Sequence, residues 1–567
     1  MTPQEFLDEF GTLGEAEGGV QKLREMILEL AVRGKLVEQD ESELPASELL
    51  ESIKESGANN GKKRAPRRNE ASSLLHDPPF AVPSSWEWSP FNRVATIASN
   101  LVKPAEFLDL PHVAPNNIEK YNGQLLEYRS VREDGVKSNN HRFFAGQILY
   151  SKIRPNLSKA TIVDFDGLCS ADMYPLDSHI DARYLLTFIL SFPFLQMAVK
   201  TDTRVAMPKI NQAELNQVLV AVPPLAEQHR IVAKVDELMR LCDGLEAVQK
   251  QRRGVRLRLN RSSLDRLTVV QSPAQVSAAW QRVCDHFQML YDTPETLPDL
   301  RQTILQLAVQ GKLVKQDPND EPAEQLLEKL TARREKLIAN GDLKKSKIVP
   351  ITDGEFDITA PAHWQWSRLN DLVEVMNSGW SPPCEPNPTI DESEWGVLKT
   401  TSVQSFVFWE HKHKRLPDNL KPRPEAEAKQ GDLLMTRAGP QNRVGISCLV
   451  RKVRPRLMIS DKIIRFHLIE PFMYDEFVAL CLNAGVSQEH IEKSKSGMAA
   501  SQMNISQMKF RMTPIPVPPR AEQKRIVSKV TDLLSQVTRL ESTLTRREAT
   551  RTQLLTAAIH GILGPNP

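Results

Sequence analysis

The sequence has few cysteines and no long apolar run. Its six cysteines are scattered among 567 residues and form no CxxC pair, which argues against a disulfide framework and against a structural zinc site. No apolar stretch is long enough to span a membrane, and the acidic, polar start lacks the basic and apolar regions of a signal peptide. A cytoplasmic location is therefore the expectation.

The net charge is small, and the sequence has few patterns typical of ligand binding. The formal net charge is +2, so any nucleic-acid surface has to be a local basic patch rather than a property of the whole chain. His411 and His413 form an HxH pair without a neighbouring cysteine or carboxylate pair, and we predict no metal site there. There is no P-loop, and the one glycine-dense stretch, Gly11 to Gly19, follows no apolar strand that could lead into a methyl-donor loop.

The chain is internally duplicated. "LREMILELAVRGKLVEQD" from Leu23 and "LRQTILQLAVQGKLVKQD" from Leu300 share 13 of 18 positions, with a weaker echo, "RTQLLTAAIHGIL", from Arg551. "PPLAEQHRIVAKVDELMRLCDGLE" from Pro223 and "PPRAEQKRIVSKVTDLLSQVTRLE" from Pro518 share 13 of 24 positions, and "PSSWEWSPFN" recurs as "PAHWQWSRLN". Each half therefore has a helical block, a basic linker, a Trp-x-Trp motif, a long variable region and a Pro-Pro helix, in that order.

The tetrapeptide from Asp77 to Phe80, "DPPF", resembles a motif of DNA amino-methyltransferases. In that motif, polar and prolyl groups hold an exocyclic amine while an aromatic ring stacks on the flipped-out base. Alignment of the two halves places the tetrapeptide opposite residues 355–358, "EFDI", so its Asp-Pro-Pro is lost although Trp-x-Trp recurs. We interpret it as the proline-rich start of a domain. A self-contained DNA adenine methyltransferase remains an alternative.

The segment after each Pro-Pro has the spacing of a long helix with one apolar seam. In the second half the apolar positions follow steps of 4, 3, 4, 3 and 4 residues, and the first half repeats that rhythm. A seam of about 25–40 residues spans roughly 40–60 Å, comparable to one or two turns of DNA. We expect the two helices to form an antiparallel pair through these seams, which comprise Ile231, Val235, Leu238, Cys242 and Leu245, and Ile526, Val530, Leu533, Val537, Leu540 and Leu544.

The variable regions alternate short β-rich runs with Gly and Pro, and we predict that each is an α+β domain. Their loops carry Arg, Asn and Gln, which form paired hydrogen bonds with base edges, and Lys, which mostly contacts phosphate. Basic linkers, "KKRAPRR" and "KKSK", precede both domains; such linkers are usually solvated tethers, and phosphate contact is the alternative role. The candidate DNA-binding residues are Lys152, Arg154, Asn156, Lys159, Arg204, Lys209 and Asn211 in the first domain, and Arg437, Gln441, Asn442, Arg443, Ser501, Gln502 and Asn504 in the second.

Together these motifs resemble the DNA-specificity subunit of type I restriction–modification systems. The resemblance covers almost the whole chain and depends on the "PP[LR]AEQ…RIV.KV" helix starts, the Trp-x-Trp motifs, the "GQILYSKIRPN" and "GDLLMTRAGP" segments and the "LAV.GKLV.QD" blocks. The helical block before the first domain is similar to that of the longer branch of the family. No catalytic, cofactor or metal site is implied in this chain.

The resemblance implies an α+β fold with a pseudo-two-fold repeat, in which an antiparallel pair of long coiled-coil helices separates two target-recognition domains. The predicted segments are an N-terminal helical block and basic linker (1–80), recognition domain 1 (81–222), the first long helix (223–269), a central helical block and linker (270–358), recognition domain 2 (359–517), and the second long helix with a C-terminal block (518–567).

The resemblance also implies the partners. Each domain would recognise one part of a split double-stranded DNA sequence, while the helices set the gap and dock two methyltransferase subunits that bind S-adenosylmethionine. Motor-nuclease subunits would join for cleavage. A helical scaffold without sequence specificity is the other alternative. We hypothesise that the repeated blocks hold the modification subunits or close the pseudo-symmetric ring, through an apolar stripe of Ile27, Leu30 and Leu36, repeated as Ile304, Leu307 and Leu313.

Overall fold

In a computed structural model, the described residues form two compact units. The first unit contains residues 1–253 and 547–567, and the second contains residues 254–546. Each unit combines helices with β-sheets, so the predicted mixture of α and β structure is confirmed. The candidate residue Arg204, and Asp77 of the "DPPF" tetrapeptide, lie outside the described residues. The structure describes the whole chain except residues 1–10, 12–13, 17, 60–77, 201–208, 270–272, 346–349, 353, 357–360 and 564–567.

The helices of the first unit include the start of a long helix that follows the first Pro-Pro. No single helix in the described part of the chain has the length and apolar composition of a membrane span, although the bent pair Ala182–Leu190 and Phe192–Val199 passes that test jointly. The helices are α1 (Gly19–Val32), α2 (Ala46–Asn59), α3 (Phe91–Val94), α4 (Ala182–Leu190), α5 (Phe192–Lys200), α6 (Gln212–Gln217) and α7 (Leu225–Val269), of which residues 254–269 belong to the second unit.

The strands of the first unit form three sheets, with orders β1-β11, β2-β10-β7-β8 and β3-β6-β9-β4-β5. They are β1 (Glu87–Pro90), β2 (Ala95–Ile97), β3 (Leu101–Val102), β4 (Pro111–Val113), β5 (Arg129–Ser130), β6 (Asn140–Phe143), β7 (Ile148–Ser151), β8 (Ala160–Ile162), β9 (Gly167–Cys169), β10 (Met173–Ser178) and β11 (Leu219–Val222).

The second unit contains the repeated helical block and most of the second long helix. Its helices are α8 (Pro273–Asp285), α9 (Phe287–Leu290), α10 (Leu297–Val309), α11 (Ala323–Ala339), α12 (Leu369–Leu372), α13 (Asp475–Cys481), α14 (Gly485–Ser494), α15 (Gln507–Arg511) and α16 (Arg520–Leu563), of which residues 547–563 belong to the first unit.

The strands of the second unit form five sheets, with orders β12-β24, β13-β22-β18-β20, β17-β14-β21, β15-β16 and β19-β23. They are β12 (Gln365–Arg368), β13 (Val373–Ser378), β14 (Gly396–Leu398), β15 (Val403–Gln404), β16 (Val407–Phe408), β17 (His413–Arg415), β18 (Leu433–Thr436), β19 (Ala438–Gly439), β20 (Ser447–Leu449), β21 (Leu457–Met458), β22 (Ile463–Leu468), β23 (Met503–Asn504) and β24 (Pro514–Val517).

Corresponding sheets in the two units have the same connectivity. In each unit the Trp-x-Trp strand pairs antiparallel with the strand just before Pro-Pro, as β1 with β11 and β12 with β24. In each unit the central four-stranded sheet is antiparallel and has the same order, because β2-β10-β7-β8 corresponds to β13-β22-β18-β20. The duplication read from the sequence therefore extends to the topology.

The predicted packing of the two long-helix seams on each other is not confirmed. The seam of α7 lies in the apolar core of the first unit together with α1, and the seam of α16 lies in the core of the second unit together with α10. Ion pairs reinforce both contacts, since Arg24 of α1 lies 2.7 Å from Asp243 and Arg301 of α10 lies 2.7 Å from Glu541. Ile231, Val235, Leu238, Cys242, Ile526, Val530, Val537 and Leu544 are buried, and Leu245, Leu533 and Leu540 are partly buried.

The carboxyl group of Asp475, at the start of α13, provides a test of the electrostatics of this fold. Burial, followed by repulsion from Glu476 and Glu470, raises its pKa to about 6. Because the folded pKa lies above the unfolded value, ionised Asp475 destabilises the fold as the pH rises through about 6. We expect Asp475→Asn to increase the free energy of unfolding by about 1–2 kcal/mol at pH 7.5 and to change it little at pH 4.

Urea titrations at the two pH values measure this difference, and Asp532→Asn, on α16, is the control for loss of a carboxylate charge. An equal effect of Asp475→Asn at both pH values would show that the Asp475 charge is not the cause.

Candidate nucleic-acid interface

Three repeated motifs of the sequence meet at one place in the first unit, which we call the first motif junction (Gly34, Pro83, Trp86, Glu227). The indole Nε1 of Trp86 donates to Glu227 at 2.9 Å, and Gln39 donates to the other carboxylate oxygen at 2.6 Å. Burial raises the pKa of the Glu227 carboxyl, while the bonds from Trp86 and Gln39 lower it. The helical block, the Trp-x-Trp strand and the Pro-Pro helix are therefore joined through one carboxylate.

The second motif junction (Gly311, Pro361, Trp364, Glu522) repeats this arrangement in the second unit. Trp364 Nε1 donates to Glu522 at 3.2 Å, and His363 Nε2 lies 2.9 Å from the other carboxylate oxygen. Glu227 and Glu522 each lie in the first turn of the helix that follows Pro-Pro. Their bonds to the tryptophans show why both motifs recur together in each half.

In the first unit, the segment that begins at Lys209 approaches the end of β7. Ile153 forms a β-bridge with Lys209, and Ile210 N–H donates to Lys152 O at 3.0 Å. Arg154 and Asn156 are exposed, and Arg154 has a φ of 49°, a strained value for a residue with a side chain. The structure thus brings together Lys152, Arg154, Asn156, Lys159, Lys209 and Asn211, which we call the first recognition surface.

Some members of the first recognition surface have partners within the unit. Lys209 lies 3.2 Å from Asp172, and Lys152 Nζ lies 5.1 Å from the centre of the Tyr174 ring. Asn211 caps α6 by accepting from Glu214 N–H at 3.0 Å. Of the candidate residues of this unit that the structure describes, only Arg154 and Asn156 combine an exposed side chain with a loop position between two strands.

The corresponding surface of the second unit lies beyond the end of β18. Strand β19 pairs with β23, Gln441 N–H donates to Ala500 O at 2.7 Å, and Ile505 N–H donates to Arg437 O at 2.9 Å. Segments more than fifty residues apart in the sequence thereby form one surface. The second recognition surface comprises Arg437, Gln441, Asn442, Arg443, Ser501, Gln502 and Asn504.

The side chains of this surface divide into two groups. Gln441, Asn442, Ser501 and Gln502 are exposed, whereas the part-buried Arg443 guanidinium donates to backbone carbonyls of the same unit. Asn504 is exposed and accepts a long 3.4 Å bond from Ser496. The exposed group is free to present donors and acceptors to a ligand.

Sequence reasoning missed two neighbours of this surface, Lys495 and Met498. The Lys495 side chain is 2% exposed and its Nζ donates to Gln441 O at 2.9 Å, whereas Met498 projects fully into solvent. The only sequence signal was their place in "KSKSGMAASQMN", a basic and small-residue run next to the candidates that were chosen.

The two surfaces lack the donors of a metal centre. No group of three His, Cys, Asp or Glu side chains among the described residues could hold a metal ion. The HxH pair is split, since the buried His413 bonds Thr389 and Glu410 O while His411 lies against the Trp409 ring at 5.8 Å.

Comparison with known proteins connects these features to a family. A model of the type I restriction modification DNA specificity domain matches residues 94–252 and 361–547. The type I restriction enzyme EcoEI specificity subunit of Escherichia coli is 39% identical over 532 residues, which cover 91% of this chain and 89% of that relative. The chain belongs to this specificity-subunit family. The EcoAI specificity subunit of Escherichia coli is 29% identical over 542 residues, with the same two coverages.

A solved structure shares the fold of this specificity subunit. It comes from work described as the structural basis of complex assembly and conformational transition of the type I R-M system, and it matches with a TM-score of 0.50 and 18% identity. The match covers 86% of this chain and all of the other.

Membership of the family confirms the prediction of a non-catalytic, DNA-recognising subunit. The methyltransferase alternative is not favoured, and Phe80 of its motif packs inside the first unit. The Phe80 ring lies 5.0 Å from the Trp88 ring, and the Arg33 guanidinium lies 4.5 Å from Phe80. Phe80 therefore packs at the start of the domain rather than presenting a free stacking face.

Proposed function

We propose that this specificity subunit recognises a split DNA sequence, one part through each recognition surface. The main support for the proposal is that a surface of the same construction occurs once in each unit. Each follows the same central strand, β7 or β18, and each is completed by a segment from much later in its own unit. A duplicated domain whose exposed loop chemistry differs is suited to two different base sequences.

Within each surface we assign different tasks to different side chains. Arg437, Gln441 and Asn442 have the donors and acceptors that match guanine and adenine edges in the major groove. In the first unit, Arg154 and Asn156 have donors and acceptors of the same kind, and Lys152 and Lys209 are assigned as phosphate contacts, which contribute affinity and salt dependence rather than sequence information.

The long helices are proposed to pack antiparallel and to set the gap between the two parts of the site. The grouping of residues supports this, because the first unit combines residues 225–253 of α7 with residues 547–563 of α16. In the second unit, Leu264 and Leu267 near the end of α7 share an apolar cluster with Val537 and Leu544 of α16. On α7 this pairing uses Leu264 and Leu267, which lie outside the seam predicted for that helix.

We further propose that two modification subunits dock on this chain and bind S-adenosylmethionine, and that motor-nuclease subunits join for cleavage in the cytoplasm. In the first unit, Leu241 and Val248 lie seven residues apart on α7 and are 52% and 45% exposed. Two exposed apolar residues at heptad spacing suit a partner helix. They are distinct from the buried seam residues of the same helix.

The proposal is tested by co-expressing the chain with its modification subunit and mapping methylated adenines in a host genome by long-read sequencing. We expect a split motif. Arg437→Ala with Asn442→Ala should relax one part of it, and Arg154→Ala with Asn156→Ala should relax the other, each by about tenfold or more in discrimination.

Lys452→Ala and Lys137→Ala, which each remove an exposed cation from the second or the first unit, are the controls and should leave the motif unchanged. Methylation by the modification subunit without this chain would contradict sequence recognition and leave a scaffold. Methylation by this chain alone would restore the enzyme alternative.

A further inference from the structure

A cation in each recognition surface is directed into the protein. In the second unit, the Arg443 guanidinium donates to Thr400 O at 2.9 Å, to Val403 O at 2.5 Å and to Gln404 Oε1 at 3.2 Å. Thr400 begins the short 3-10 helix Thr400–Ser402, which follows β14. Burial lowers the pKa of Arg443. These three acceptors take both N–H groups of Nη2 and one of Nη1, and Nε is buried, so only one N–H of Nη1 is left to offer to DNA.

The first unit has a counterpart at the same topological position. Lys159, just before β8, donates from Nζ to Pro115 O at 2.6 Å. Pro115 begins the 3-10 helix Pro115–Asn117, which follows β4, as the helix of Thr400 follows β14. Burial, followed by the charges of Arg154 and Lys120, lowers the pKa of Lys159. Lys159 forms this bond although like charges lie nearby, and within the described part of the chain no carboxylate pairs with it.

These bonds cross between segments that are far apart in the sequence. Arg443 joins the loop after β18 to the segment after β14, and Lys159 joins the loop after β7 to the segment after β4. In the second unit Lys495, with its side chain 2% exposed, adds a bond to Gln441 O of the same loop from the end of α14. Hydrogen bonds from a charged donor to carbonyls contribute more to stability than bonds between neutral groups.

We propose that Arg443 and Lys159 are positioning residues that hold the recognition loops in their DNA-binding shape, rather than residues that contact DNA. The inference rests on the proposed function of the two surfaces. Rigid loops favour specificity because less ordering is needed on binding and because misplaced donors cannot adjust to a wrong base. Each unit has a loop cation that donates to a carbonyl of a distant segment, although the residue type differs. We therefore assign the same role to Arg443 and Lys159.

The experiment uses the chain assembled with its modification subunits and measures methylation rates on duplexes with single base changes in each part of the split site. Arg443→Met and Lys159→Met keep the aliphatic stem and remove the donors. We expect each to lower discrimination about tenfold at all base pairs of its own half-site and by less than twofold at the other half-site. Arg443→Lys and Lys159→Arg should retain most of the discrimination, because each keeps a charged donor at the same position.

Three results would overturn the proposal. Loss of discrimination at one base pair alone would mean a direct base contact. Uniformly weaker binding to all duplexes, with a salt slope reduced by about one, would mean a phosphate contact. Loss of discrimination at both half-sites would mean a general effect on folding. If Arg443→Lys also lost discrimination at both half-sites, that explanation would be confirmed. If the wild-type chain itself showed no discrimination at either half-site, the proposed function would be rejected.

Discussion

Replacement of Gly34 by alanine is expected to lower the free energy of unfolding by about 3 kcal/mol. Gly34 follows α1 with a φ of +67°, and Lys35 N–H closes the helix end by donating to Leu30 O at 3.0 Å. A Cβ at Gly34 would lie 2.5 Å from Pro83 Cγ and 3.3 Å from the Trp86 ring. The cost therefore combines left-handed backbone strain with overpacking at the motif junction.

The duplicated junction provides a second test of the same argument. Gly311 has a φ of +68°, and a Cβ there would contact Pro361 and lie 3.0 Å from the Trp364 ring. Gly311→Ala should cost a similar amount.

Gly135→Ala is the matched control for both substitutions, since Gly135 has a φ of +60° with no atom near its missing Cβ. It should cost only about 1 kcal/mol, the strain alone. Denaturant unfolding of the three variants separates the two contributions. Equal losses in all three would show that contact with the proline and tryptophan does not matter.

Leu30→Glu is expected to destabilise the first unit by at least about 4 kcal/mol, and Leu307→Glu to do the same in the second unit. Leu30 is 1% exposed and Leu307 is 3% exposed, and each lies in the apolar core of its own unit. A carboxylate there loses the transfer free energy of leucine and is buried without a partner. Thermal unfolding and far-UV circular dichroism measure the loss.

The control for these substitutions is Leu44→Glu, because Leu44 is 71% exposed and the change should be nearly neutral. Normal stability of Leu30→Glu, combined with failure to bind the modification subunits, would instead support the hypothesis that this stripe docks them. The burial of both leucines argues against that hypothesis for these side chains. Leu241 and Val248, exposed on α7, are the better candidates in the first unit.

Periodicity predicted the long helices and their apolar faces but not what those faces contact. The 4-3 spacing of Ile231, Val235 and Leu238 requires only that one helical face be buried. The structure buries that face against α1 and the core of the first unit. A heptad seam favours another helix as its partner but does not distinguish a second long helix from a neighbouring short one.

The sequence determined by itself the duplication, the mixture of α and β structure, the long helices and the family, because these follow from repeated motifs and local spacing. It also supplied the loop candidates from which the two recognition surfaces are proposed. Only the tertiary structure decided which polar side chains in those loops are exposed and which are bonded inward. Asn442 and Arg443 are adjacent and both suit base contacts, yet Asn442 is exposed while Arg443 binds carbonyls some forty residues earlier in the chain. The direction of a loop side chain depends on acceptors contributed by distant segments, and those meet only when the sheet is assembled.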